Sequence, residues 1–142
     1  MEMTVDRFEL LEHAGDLGLQ VWSSTREGIF VTAARGFFSI LTDVKRIKPV
    51  LTQPISLQAG SDAELLVYWL NHLNFLFATA GLLLVNFTPL QIDDGKLTAI
   101  VSGESISPTR HEIYREIKAV TYHQLLFEKR SAGWFAQVIL DL

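Results

Sequence analysis

No cysteine occurs in the chain. Disulfides, zinc–thiolate sites and thiol nucleophiles are excluded together, which is compatible with a cytoplasmic location without establishing it. Positive charge is also scarce. Twelve Lys and Arg stand against 16 Asp and Glu, for a net charge of −4. A direct nucleic-acid binder carries a basic footprint, so no direct nucleic-acid contact is expected. No long apolar run escapes interruption. Residues 65–85 come nearest, but Asn71, His72, Asn74 and Thr79 break them. Polar side chains at bilayer depth are expensive, so no membrane span is expected. The first eight residues carry Glu2, Asp6 and Arg7, without the basic and apolar regions of a signal peptide. The sequence has no G-x-S-x-G, P-loop, H-E-x-x-H or G-x-G-x-x-G motif. Its histidines, at 13, 72, 111 and 123, form no metal-ligand pair on one expected helix. The chain is therefore expected not to be an enzyme.

What is present is a globular composition: 142 residues, 49% hydrophobic and 20% charged. That is enough for one domain, 1–142, with a sizeable core. Alternation predicts strands over 8–12 and 17–23, separated by a turn at His13-Ala14-Gly15-Asp16. Ser24-Thr25-Arg26-Glu27 has the form of a capping box, and a helical apolar stripe follows from Phe30 to Leu41. Gly36 inside that helix costs about 1 kcal/mol against alanine, which points to a close approach. Residues 50–59 have strand character, with Pro54 arguing for an edge.

A second capping box, Ser61-Asp62-Ala63-Glu64, opens the most secure element. Leu66, Trp69, Leu70, Leu73, Leu76, Phe77 and Ala80 form its stripe, and Gly81 supplies the stop. Glu64, Tyr68, Asn71, His72 and Phe75 fall on the other side. Tyr68 and Phe75, seven apart, are expected to stack there, either under a second layer or as a contact surface for a partner. A strand over 82–92, a hairpin turn at Asp93-Asp94-Gly95-Lys96 and a return strand over 97–103 follow. Residues 104–108 read as a loop. The last two strands are expected at 116–127 and 134–142. The fold class is α+β, two helices on mostly antiparallel sheet, in the order β-β-α-β-α-β-β-β-β.

Two places carry unusual chemistry. The strand Glu116-Ile117-Lys118-Ala119-Val120-Thr121-Tyr122-His123 sets Lys118 on one face with Val120 and Tyr122, which read as core residues. A lysine there snorkels, pairs with an acid or serves a site. The second place is the stretch Val138-Ile139-Leu140-Asp141-Leu142. Asp141 and the terminal carboxylate at Leu142 would set two hard anionic groups at one strand tip, where they repel unless a cation bridges them. Asp16, in its glycine-containing turn, is a candidate third ligand. A solvated strand end is the plainer reading of the same residues.

Glu12 to Leu19, the helix 61–77 with its Leu-Leu-Val-Tyr-Trp-Leu-Asn core, Arg110-His111-Glu112, residues 116–123 and Gly133-Trp134 to Asp141-Leu142 together resemble the archease family, in the right order over nearly the whole chain. The resemblance implies a small cytosolic accessory protein of the tRNA-splicing RNA ligase that joins RNA ends with GTP and Mn²⁺. It would promote ligase guanylylation and multiple turnover. It also implies a metal site at Asp16, Asp141 and Leu142, for calcium first and manganese or magnesium as alternatives. Lys118 and His13 become near-site candidates, and Tyr68 and Phe75 partner candidates. Two departures stand out: the first motif usually reads His-Thr-Ala-Asp, and Tyr68, His72, Ala78 and Ala80 stand where the family's second helix is often acidic. Two other readings remain at this stage, a metal-dependent phosphoester hydrolase using Lys118 and His13, and a chaperone-like interaction module with another client.

Overall fold

The computed structural model describes residues 5–142, with His13 described by its backbone alone. Eight strands and two α-helices follow in the order β1 (Arg7–His13), β2 (Asp16–Ser23), α1 (Arg26–Leu41), β3 (Leu51–Gln58), α2 (Asp62–Ala80), β4 (Leu82–Asn86), β5 (Leu90–Asp93), β6 (Lys96–Ser105), β7 (Ala119–Arg130) and β8 (Gly133–Asp141). One sheet has the order β1-β2-β8-β7; the other has β3-β6-β4, with β5 also on β6. Every pairing is antiparallel. The class is α+β, as the sequence patterning led us to expect.

Both helices touch strands of both sheets, which explains their composition. A helix covered on most sides must be apolar on most sides. In α1 only Arg35 is exposed, and Ile29, Phe30, Ala33, Phe37, Phe38 and Leu41 are all completely buried. Each large side chain removed from water in this way contributes about 2 kcal/mol. Trp69 of α2 is completely buried and donates its indole N–H to the Phe30 carbonyl at 3.0 Å, joining the two helices. Gly36 marks the expected close approach: a Cβ there would lie 2.9 Å from Leu19 Cδ1 and 3.1 Å from the Phe8 ring.

Punctuation falls largely where the residues place it. Ser61 accepts from the Glu64 N–H at 3.2 Å, and Gly81 ends α2. Asp94 and Gly95 both take positive φ in the β5–β6 hairpin, as the Asp-Gly turn requires. Pro54 sits on β3, at the edge of its sheet.

Four expectations need correction. The α1 cap is Thr25, accepting from the Gly28 N–H at 2.9 Å, and not a Ser24–Glu27 box. Residues 82–92 are two strands separated around Pro89, so the described residues hold eight strands where the expected order has seven. Residue 104 lies within β6 and is buried, not in a loop. β7 begins at Ala119, not at 116, and Tyr122 is 63% exposed instead of core. The reason is a bulge. Thr121 pairs with Ile139 and Leu126 with Gln137, so five steps on β7 face two on β8. Gln124 takes φ 49° inside it, and the period-2 reading holds only through Thr121.

Candidate functional site

The β1–β2 connection is two residues long, and Gly15 takes φ 81°, which suits a residue without Cβ. Asp16 therefore opens β2. β8 lies between β2 and β7, and its register sets Asp141 directly opposite Asp16. Directly opposed residues of an antiparallel pair point to the same face, with Cβ atoms about 5 Å apart. Asp16 is exposed and Asp141 half-buried. On the far side of Asp141 the ladder partner is Ala119, a side chain too small to cover it.

Backbone hydrogen bonds draw the neighbouring candidates to the same corner. The Lys118 N–H donates to the Asp141 carbonyl at 2.8 Å, and the Leu142 N–H to the Gly15 carbonyl at 3.4 Å. Lys118 is exposed, correcting its expected place on a core face. Among the described residues, neither aspartate carboxylate takes a side-chain hydrogen bond or an ion pair, and the Lys118 ammonium has no acidic partner within salt-bridge distance. Two acids placed opposite each other without a neutralising partner destabilise the pair. His13 is the backbone partner of Asp16 on β1; its side chain lies outside the described residues.

Among the described residues the candidate ligand atoms at this corner are oxygens, which suit a hard divalent cation. Among the described residues no three His, Cys, Asp or Glu side chains gather around one point. Of the expected ligands, Asp16 and Asp141 are thus the two described side-chain carboxylates that the register brings together.

Tyr68 and Phe75 are 47% and 57% exposed on the outer side of α2. Phe75 stacks with His72, ring centroids 6.2 Å apart, and not with Tyr68 as the seven-residue spacing led us to expect. Burial lowers the His72 pKa. No described contact joins these residues to the Asp16–Asp141 corner.

Two residues that the sequence offers only as polar interruptions, one of them expected on the outer side of α2, organise this region. Asn71 and Asn74 of α2 face the lysine segment. Asn71 accepts from the Val120 N–H at 2.9 Å and donates to the Val120 carbonyl at 3.0 Å, while Asn74 donates to the Ile117 carbonyl at 2.8 Å. Asparagine is a poor helix former, and two within three residues of each other in a leucine-rich helix interior were the available signal.

A second polar cluster joins the end of β6 to the loop that leads to Lys118. Glu104 is buried, and its carboxylate receives Arg110 on both oxygens, the Lys48 N–H at 2.7 Å and the His111 ring at 3.0 Å. The Arg110 guanidinium, then the Lys48 N–H, holds the Glu104 carboxyl down to about 2. His111 Nδ1 accepts from the Ser107 N–H at 2.8 Å, so Nε2 carries the proton and donates to Glu104 and to the Arg46 carbonyl.

The model of the archease protein family matches residues 8–142. The protein archease of Methanopyrus kandleri is 33% identical over 138 residues, covering 95% of this chain and 99% of that protein. That of Methanosarcina mazei is 34% identical over 140 residues, covering 96% of each. Neither name designates an enzyme. The solution structure of Methanobacterium thermoautotrophicum protein 1598 superposes with a TM-score of 0.83 at 30% identity, covering 95% of this chain and 98% of that one. A Thermotoga maritima archease, described as a possible chaperone, shares the fold at a TM-score of 0.62 and 17% identity, over 93% and 94% of the two chains.

Proposed function

Since the chain belongs to the archease family, we propose that it is an accessory protein, not an enzyme, that activates a tRNA-splicing RNA ligase. It does so by presenting a cation-binding corner built from Asp16, Asp141 and Leu142, with Lys118 beside it. One observation carries this reading: Asp16 stands opposite Asp141 with neither carboxylate neutralised by a described side chain. A protein stabilised only for its own sake gains nothing from that pairing.

A divalent cation there would relieve the repulsion and offer a Lewis-acidic centre at the surface. The chain's own part is to hold two carboxylates in register, to keep Ala119 small beside them and to leave the Lys118 ammonium free for an anionic phosphate. Calcium fits the hard oxygen donors; manganese and magnesium accept the same chemistry. Net charge of −4 supports contact with the ligase rather than with RNA.

The test is multiple-turnover RNA ligation by the cognate ligase at fixed GTP and Mn²⁺. Continued turnover only with this protein present, lost with Asp141→Ala, supports the reading. Ligation indifferent to the protein overturns it. Exposed Tyr68 and Phe75 favour one alternative, a chaperone-like module. Under that reading Tyr68→Glu, and not Asp141→Ala, would abolish client protection.

A further inference from the structure

We propose that Asn71 and Asn74 are positioning residues for Lys118, so that helix α2 sets where the lysine stands relative to Asp141. The inference rests on the reading of that corner as the working site. The geometry carries it. β7 is the outermost strand of its sheet, so only β8 can pair with it. At its start, α2 supplies the missing partner. The Asn71 amide accepts from the Val120 N–H and donates to the Val120 carbonyl, as a neighbouring strand's peptide group would. Asn74 takes the Ile117 carbonyl. Lys118 lies between these two anchored residues, and its own N–H is bound to the Asp141 carbonyl.

Side-chain burial reinforces the clamp. Ile117 is 5% exposed and Val120 3%, so hydrophobic contact anchors both flanks while Lys118 itself is exposed. The segment thus has a fixed backbone and one free side chain. A side chain with no partner of its own is placed only as well as its backbone is placed. Covering a strand edge could be a purely structural service. What separates the two roles is that the held groups, on Ile117 and Val120, bracket Lys118 and the small Ala119, so the one long side chain between them is the lysine.

The test uses the full-length protein and the variants Asn71→Ala, Asn74→Ala and Lys118→Ala. Amide hydrogen exchange is read at Lys118 and Val120, with Leu19 and Leu140 as controls. Ligase stimulation is measured below the unfolding range of every variant. In Asn74→Ala, exchange at Lys118 should rise tenfold or more with the controls unchanged. Maximal stimulation should fall about as far as in Lys118→Ala, and the double variant should be no worse than either, the mark of residues acting as one unit. Unchanged exchange at Lys118, or full stimulation by Asn74→Ala while Lys118→Ala is inactive, overturns the proposal. Full stimulation by both Lys118→Ala and Asp141→Ala would sink the site reading, and the exchange result would still decide the clamp. Asn74→Ala loses one hydrogen bond, so it carries the test if Asn71→Ala, which loses two, fails to fold.

Discussion

At Glu104 one buried carboxylate is surrounded by donors: a guanidinium, a backbone N–H and an imidazole. At Asp16 and Asp141 two carboxylates stand opposite each other with no donor side chain among the described residues. The first cluster has the depressed pKa and the histidine, which are the usual marks of a working site. Yet its carboxylate is matched by donors from the chain itself, and the cluster ties the loop before Lys118 to the end of β6. The second corner has the poorer electrostatics and the better claim to function, because its unmet charge is what a partner or cation can use.

The contrast can be broken most directly at Asp141. Asp141→Lys should reduce ligase stimulation to the level of ligase alone and weaken calcium binding by about 100-fold or more, a loss of ~3 kcal/mol, while the protein stays folded. A folded Asp141→Lys protein with full stimulation would end the distinction. His111→Ala should do the reverse. It leaves the Ser107 N–H and the Arg46 carbonyl without the ring and removes one of three donors from a Glu104 oxygen, costing about 1–3 kcal/mol in urea unfolding, with stimulation intact at low temperature.

Acid sharpens the comparison further. The Glu104 carboxyl has a folded pKa of about 2, below its ordinary 4.5. Its stabilisation is therefore complete above pH 4.5 and is lost as pH falls from there through 2. Urea midpoints from pH 5 to 2 should fall in the parent protein and flatten over this window in Glu104→Gln. The smallest effect is expected at Asp16. Asp16→Asn relieves the like-charge pair and should raise stability by about 0.5 kcal/mol without divalent cation. With excess calcium chloride the parent should become the more stable of the two, because only it keeps both ligands.

Local signals in the sequence located much of the fold. Ser61 and Gly81 bound α2, Asp94-Gly95 makes the hairpin, Pro54 marks an edge and Gly36 a close approach. Each of these is decided by a few neighbouring residues. The start of β7 is different. A strand paired by the Asn71 side chain has no period of its own to read, and the bulge after Thr121 shifts every later residue. Glu104 misled for a similar reason, since its partners come from residues 48, 110 and 111. The corner itself was legible only through the family resemblance. Spacing alone favours a solvated end for Asp141, because opposition to Asp16 depends on the register of strands from the two ends of the domain.

The β7 bulge also governs how this chain tolerates changes of length. In a regular ladder, gain or loss of one residue turns every later side chain to the other face. Here residues 122–125 loop out opposite Val138 alone, between the pairs Thr121–Ile139 and Leu126–Gln137. Insertions or deletions inside that loop leave both half-ladders in register, the one beside Asp141 and the one that forms the Trp134 hairpin. Variation in length among related chains should therefore gather at this loop, and a spectroscopic label or short epitope placed there would leave the Asp16–Asp141 corner as it stands.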